Sequence, residues 1–180
     1  MIAPILENER VKLSPLKLEH AELLLPIASQ DKLVQYSPSD ITTPVTLNTY
    51  IATALKHLEE LSAIPFIIFD KQMKAYAGST RFMNIHWPNK VLHIGSTWIG
   101  REFQGTGLNP EVKKLMLSYA FIDLNFEKVE FRVDERNIRS RKAVEKLGAR
   151  LEGILRKNVY LLDGFKRNTC CYGILKEEWV

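Results

Sequence analysis

Three consecutive extended segments between Ile64 and Gly100 constrain this chain more than any other feature. "IPFIIFD" reads as a buried strand, "DKQMK" as a polar turn into "AYAGSTRFMNI", and "VLHIGSTWIG" as a further strand bounded upstream by Trp87-Pro88-Asn89. A hairpin followed by a third strand is expected. On both sides the apolar period lengthens to that of a helix: Leu18, Ala21, Leu24, Leu25 and Ala28, then Leu47, Tyr50, Ile51, Ala54, Leu55, Leu58 and Leu61, and downstream Val112, Leu115, Met116, Tyr119 and Ile122. A polar, proline-bearing link joins the first two helices from Ser29 to Thr46. "ERVKLSPL" supplies a first strand ending near Pro15, and "KVEFRV" a strand after the third helix. "RSRKAVEKLG" predicts a short helix with Gly148 at C′, and "GILRKNVYLL" and "RNTCCYGIL" two last strands joined through Asp163-Gly164. The predicted order is βαα-βββ-α-β-α-ββ, an α/β fold with one mixed sheet, in a single domain over residues 1–180.

At 180 residues the chain can bury a core without staples, and 46% hydrophobic with 26% charged residues is ordinary for a globular domain. No apolar stretch approaches the roughly 18 residues of a membrane span. "MIAPILENER" lacks a basic segment followed by an apolar one, so the expected location is cytoplasmic. Cys170 and Cys171 are adjacent, so on a strand they face opposite ways and are expected to stay unbridged; no metal site is expected around them. A net charge of +4 mildly favours an anionic ligand, but without dense Lys/Arg blocks direct nucleic-acid binding is not expected.

The stretch "WIGREFQGTGLNPEVKKLM" joins the third of those strands to the third helix. Asn109 suits an N-cap and Pro110 the first helical position, which starts the helix at about residue 109. Gly105 and Gly107 remove side chains from the loop ahead of it and permit unusual φ values. Backbone amides at a helix N-terminus then form a cradle suited to phosphate. A Walker A loop is absent, and a dinucleotide fingerprint fails at Pro110. A glycine turn with no ligand fits the string equally well.

Gln104-Gly105-Thr106-Gly107-Leu108-Asn109 resembles the Q/R-x-x-G-x-G/A signature of the GCN5-related N-acetyltransferases (GNAT), departing only at Asn109. "ERNIRSRKAVEKLGARLEG" resembles that family's second motif through Asn137, Ser140, Lys146 and Gly148. "RVKLSPL" and "LKEEW" are similar to the branch that contains the ribosomal-protein N-terminal acetyltransferases. The resemblance implies the GNAT fold and acetyl-CoA as cosubstrate, with no metal. It implies a diphosphate on the amides of Gln104, Gly105, Thr106, Gly107, Leu108 and Asn109, and a pantetheine arm beside Trp98, Ile99 and Gly100. Asn137 would hydrogen-bond that arm, and Arg139, Arg141 or Lys142 would reach the 3′-phosphate or simply be a solvated face.

Direct attack of an amine on a thioester needs a proton acceptor, oxyanion stabilisation and a proton for the leaving thiolate. Where many relatives carry a glutamate before the phosphate loop this chain has His93, which is either a base or a packed strand residue. Where many carry a tyrosine acid it has Val144, and Ser140 matches a serine proposed for that role in the ribosomal-protein branch. Tyr160 and Tyr172 could be core or pocket residues. The links 29–48 and 161–167 and the loop 84–90, with Tyr36, His86, Trp87 and Lys166, are expected to hold the acceptor, a peptide N-terminus, a small amine or an antibiotic. The resemblance is compatible with a homodimer. The competing functions are a non-catalytic CoA-binding sensor and a basic RNA- or ribosome-binding module.

Overall fold

The computed structural model describes residues 3–179. Eight strands and four α-helices follow in the order β1 (Leu6–Glu7), β2 (Val11–Pro15), α1 (Ala21–Ala28), α2 (Pro44–Glu59), β3 (Ile64–Asp70), β4 (Ala75–His86), β5 (Val91–Ile99), α3 (Leu108–Ser118), β6 (Lys128–Asp134), α4 (Ile138–Glu145), β7 (Arg150–Tyr160) and β8 (Lys166–Leu175). The expected order holds, with the two-residue β1 added ahead of it. One sheet runs β1-β2-β3-β4-β5-β6-β8-β7. Every pairing is antiparallel except β5 with β6.

Helices cover both faces. Leu24, Ile27, Leu47, Ile51 and Ala54 of α1 and α2 pack with Ile67 and Trp98 on one face. Val112, Met116 and Leu117 of α3 pack with Phe66, Phe82, Leu92, Ile94 and Ile99 on the other. Helix α2 begins at Pro44 because Thr43 caps it, accepting from the Thr46 amide, so it starts three residues before the expected Leu47. Helix α3 runs into a single π turn over Tyr119–Asp123. Strand β7 forms the sheet edge and is exposed almost throughout. Both cysteines are free thiols. Among the described residues no helix is long and apolar enough to cross a membrane.

Two features of β5 position the site. It pairs with β6 only over Val91–His93 against Lys128–Glu130, so beyond His93 and Glu130 the sheet opens between two parallel strands. It also carries a bulge. Ser79 faces Trp98, yet Arg81 faces Gly95, so two steps on β4 are matched by three on β5. Ser96 in this interval has φ of 47°. The extra residue reverses the alternation: Leu92 and Ile94 join the α3 side, whereas Trp98 joins the α1–α2 side.

Candidate functional site

At the open end of the sheet, β5 delivers the chain through a short turn, Arg101–Phe103, into the glycine loop. Gly105 and Gly107 have φ of 78° and 86°, and a Cβ on either would meet nothing within 4 Å. These glycines answer to backbone conformation, not to crowding, and they leave the loop surface bare. The cap and the first helical residue of α3 each lie two positions earlier than expected. Gly107 in the left-handed region is its N-cap, so Asn109 lies inside the first turn, and its Oδ1 is buried without a partner. The expected Asn109 cap is thus replaced by a glycine whose conformation alone turns the chain.

Gln104 ties the loop to its surroundings. Its Nε2 donates to the Ile99 carbonyl at 2.8 Å, and Arg139 Nη1 donates to its Oε1 at 2.7 Å. Thr106 Oγ1 donates to the Phe103 carbonyl. Of the β5 end, the Gly100 amide turns back to the Ala77 carbonyl of β4, and the Trp98 carbonyl also faces β4, against Gly78. Ile99 therefore presents its backbone toward the opening. A cavity of about 490 Å³ lies beside this loop, lined by Arg101, Gln104, Arg136, Asn137 and Arg139 among others. Asn137 caps α4, its Oδ1 accepting from the Ser140 amide at 3.1 Å, which leaves its Nδ2 to donate elsewhere. Ser140 sits in that same first turn. Arg141 does not reach this cavity: it donates to the Tyr172 hydroxyl at 2.9 Å and to the Glu135 carbonyl. Tyr172 is a core residue whose hydroxyl donates to Glu145, and Tyr160 is exposed on β7.

His93 and Glu130, register partners across the parallel pair, are also joined through side chains, with Nε2 3.0 Å from Oε2. The Asn84 amide nitrogen is 3.1 Å from His93 Nδ1. A carboxylate accepts and an amide nitrogen donates, so the neutral ring carries its proton on Nε2 and offers the Nδ1 lone pair to Asn84. Burial pushes the imidazolium below its usual range despite Glu130. Burial alone would push Glu130 up, but Lys128, His93 and Arg132 outweigh it and hold the carboxyl low. Glu130 was not singled out from the sequence, although the alternation of "KVEFRV" places it on a polar face.

Asn84 also lines a second cavity, about 550 Å³, enclosed by α2, β4 and the bulge of β5. Ser39, Asp40 and Thr46 come from the link expected to hold the acceptor, and Asn84 from the expected 84–90 loop. Tyr50, His57 and Arg81 also line it and were missed, while the 161–167 link does not reach it. Trp87 is structural, its Nε1 donating to the Leu61 carbonyl and its ring packed on Phe126. Among the described residues no group of acids, histidines and cysteines could hold a metal ion.

The model of the acetyltransferase (GNAT) domain matches residues 10–150. The chain belongs to the GNAT family. It is an N-acetyltransferase. The relative named ribosomal N-acetyltransferase YdaF, from Bacillus subtilis (strain 168), is 27% identical over 179 residues, covering 96% of this chain and 94% of that protein. A GCN5-related N-acetyltransferase from Brucella melitensis superposes with a TM-score of 0.87 at 27% identity, over 98% of this chain and 80% of its own. The ribosomal-protein-S5-alanine acetyltransferase of Vibrio fischeri shares the fold at 20% identity, with a TM-score of 0.80 over 98% of this chain and 99% of its own. The GNAT assignment thus rests on the match over residues 10–150, and the solved relatives share the fold.

Proposed function

We propose that this GNAT chain moves an acetyl group from acetyl-CoA to a primary amine. The observation that carries the reading is the bare Gly105–Gly107 turn at the head of α3, set beside the point where β5 and β6 part. A diphosphate fits that turn because backbone amides at a helix N-terminus can approach it without side chains in the way. Arg101 and Arg139 around the adjoining cavity suit further phosphate oxygens, whereas Arg136 is held by two bonds to Asp134. Gln104, Thr106, Leu108 and Asn109 complete the cradle, Ile99 offers its backbone to an extended arm, and Asn137 its free amide nitrogen. Arg141 is withdrawn from the proposed set because its guanidinium is committed to Tyr172 and Glu135.

When bound, acetyl-CoA supplies an activated thioester carbonyl. His93 Nδ1 takes the proton of the attacking amine, which displaces the Asn84 amide from the lone pair. Glu130 holds the Nε2 proton and stabilises the resulting imidazolium. Ser140, at the start of α4, donates a hydrogen bond to the departing sulfur. The acceptor enters from the 550 Å³ cavity, because Asn84 borders both that cavity and His93. The ribosomal relative favours a protein N-terminus as one acceptor class, a small amine being the other.

Thermal stabilisation by acetyl-CoA and desulfo-CoA, with ATP as control, tests the cofactor reading, since a ligand of the native state raises Tm by mass action. Shifts with both CoA compounds and none with ATP are expected, followed by thiol release in an amine screen. No shift at millimolar acetyl-CoA would overturn the site, and binding without release for any amine would leave a CoA sensor.

A further inference from the structure

Arg81 is the unusual residue of the second cavity. It sits in β4, is 5% exposed, and lines the wall facing α2. Its Nε and Nη2 are both buried without a hydrogen-bond partner. A guanidinium cannot shed its charge at any ordinary pH, and a buried charge without a counterion is costly. Among the described residues the one acid lining the cavity, Asp40, already accepts from the amide and hydroxyl of Thr42. What Arg81 does have is a brace. Its guanidinium carbon stands 4.4 Å over the Tyr50 ring. The Tyr50 hydroxyl donates to the Ser96 carbonyl and accepts from Trp98 Nε1. The fork is therefore held by residues of the β5 bulge, and the cavity reaches Asn84 beside His93. The Ser39 hydroxyl adds a neutral donor to the same walls, whereas those of Thr46 and Thr53 donate to the Thr43 and Thr49 carbonyls.

We propose that this cavity is an oxyanion subsite, in which Arg81 holds a carboxylate or phosphate carried by the acceptor, so that the amine acetylated belongs to an anionic molecule. The planar fork of Arg81 suits two parallel bonds to such a group, and its depth in the cavity sets the distance from the anion to the reacting nitrogen. The inference rests on acetyl transfer occurring at this site, and it deepens that reading by naming the substrate class.

Two measurements test it separately. Without any acetyl donor, malonate is expected to raise Tm by about 3 °C over chloride at matched ionic strength. Arg81→Gln is expected to lose that shift while keeping its stabilisation by desulfo-CoA, which reports a folded protein. Arg81→Lys, which keeps the charge and loses the fork, is expected to retain part of it. With acetyl-CoA, thiol release is compared within two pairs, β-alanine against β-alaninamide and O-phosphoethanolamine against ethanolamine. The anionic member is expected to have a kcat/KM about 10- to 100-fold higher in at least one pair, the pair identifying carboxylate or phosphate, and Arg81→Gln to erase the ratio. Malonate binding that depends on Arg81, with no amine acetylated, would keep the subsite and overturn the reaction. Equal rates within both pairs, or malonate binding unchanged in Arg81→Gln, would overturn the subsite and leave acetyl transfer standing.

Discussion

Strands β4 and β5 meet a buried cation on each face, Arg81 from β4 itself and Lys113 from α3, and the two are handled in opposite ways. On the α3 face Lys113 is 6% exposed, donates to Thr97 Oγ1 at 2.5 Å and lies 3.5 Å from Thr80 Oγ1. Burial lowers its pKa to about 7, so the charge can be given up as pH rises past neutrality, far below the usual lysine range. On the α2 face Arg81 is equally buried but permanently charged; its Nε and Nη2 have no partner, and the residue lines a cavity. A buried amine that can discharge needs no visitor; a buried guanidinium keeps its demand. The difference separates a structural cation from one suited to a ligand, although both lie against the same pair of strands.

The largest expected effect comes from abolishing that difference. Lys113→Arg installs a charge that cannot be lost, in a space closed by Met116 and the two threonines. It is expected to lower stability by about 3–5 kcal/mol in a urea titration. An unchanged unfolding midpoint would mean that the α3 face tolerates permanent charge and that the contrast is false.

Next comes the group on the cavity side that does the proposed proton transfer. His93→Gln is expected to reduce kcat about 100-fold or more with little change in acetyl-CoA affinity. Because burial lowers the His93 pKa, the acid limb of the kcat/KM profile should lie below the usual histidine value of 6.5. Glu130 raises that pKa, so Glu130→Gln should move the limb to still lower pH. An acid limb that stays put in both variants would remove His93 from the mechanism.

The smallest effect isolates the lysine proton. An unfolded lysine holds its proton to about pH 10.5, whereas Lys113 in the folded chain releases it near 7. Between these values the unfolded chain binds more protons, so stability rises with pH across this window and this contribution is flat below it. The limiting slope for one group is about 1.4 kcal/mol per pH unit. Lys113→Met is expected to remove that slope and to gain about 1–2 kcal/mol at pH 7, as apolar replacement of buried charge often does. An identical slope in the variant would show that folded Lys113 keeps its proton across this window.

What the sequence disclosed follows the range of the forces involved. Gly105, Gly107 and the start of α3 were legible to within two residues because turn chemistry is local. Asn109 was misplaced because it and Gly107 both suit a helix start, and only the folded loop decides between them. The His93–Glu130 contact needed the parallel register of two strands separated by α3, which no local pattern carries. Lys113 did leave a trace: it stands three and four residues before the buried Met116 and Leu117, on their side of the helix. Arg81 left a fainter one, since alternation puts it on the face opposite Phe82, but its lack of a partner is a property of α2 closing over it.

The bulge at Ser96 has a consequence for cooperativity. Strand β5 places Leu92 and Ile94 in one apolar cluster and Trp98 in the other. Neither layer of helices can therefore come away without disturbing side chains anchored in the same nine-residue strand. Local opening of the acceptor side is coupled to the layer that seals Lys113, and the lowest-energy partial unfolding is driven outward, toward the exposed edge at β7. Strand β3 does the same through Phe66, Ile67 and Ile68, so the two cores share their central strands.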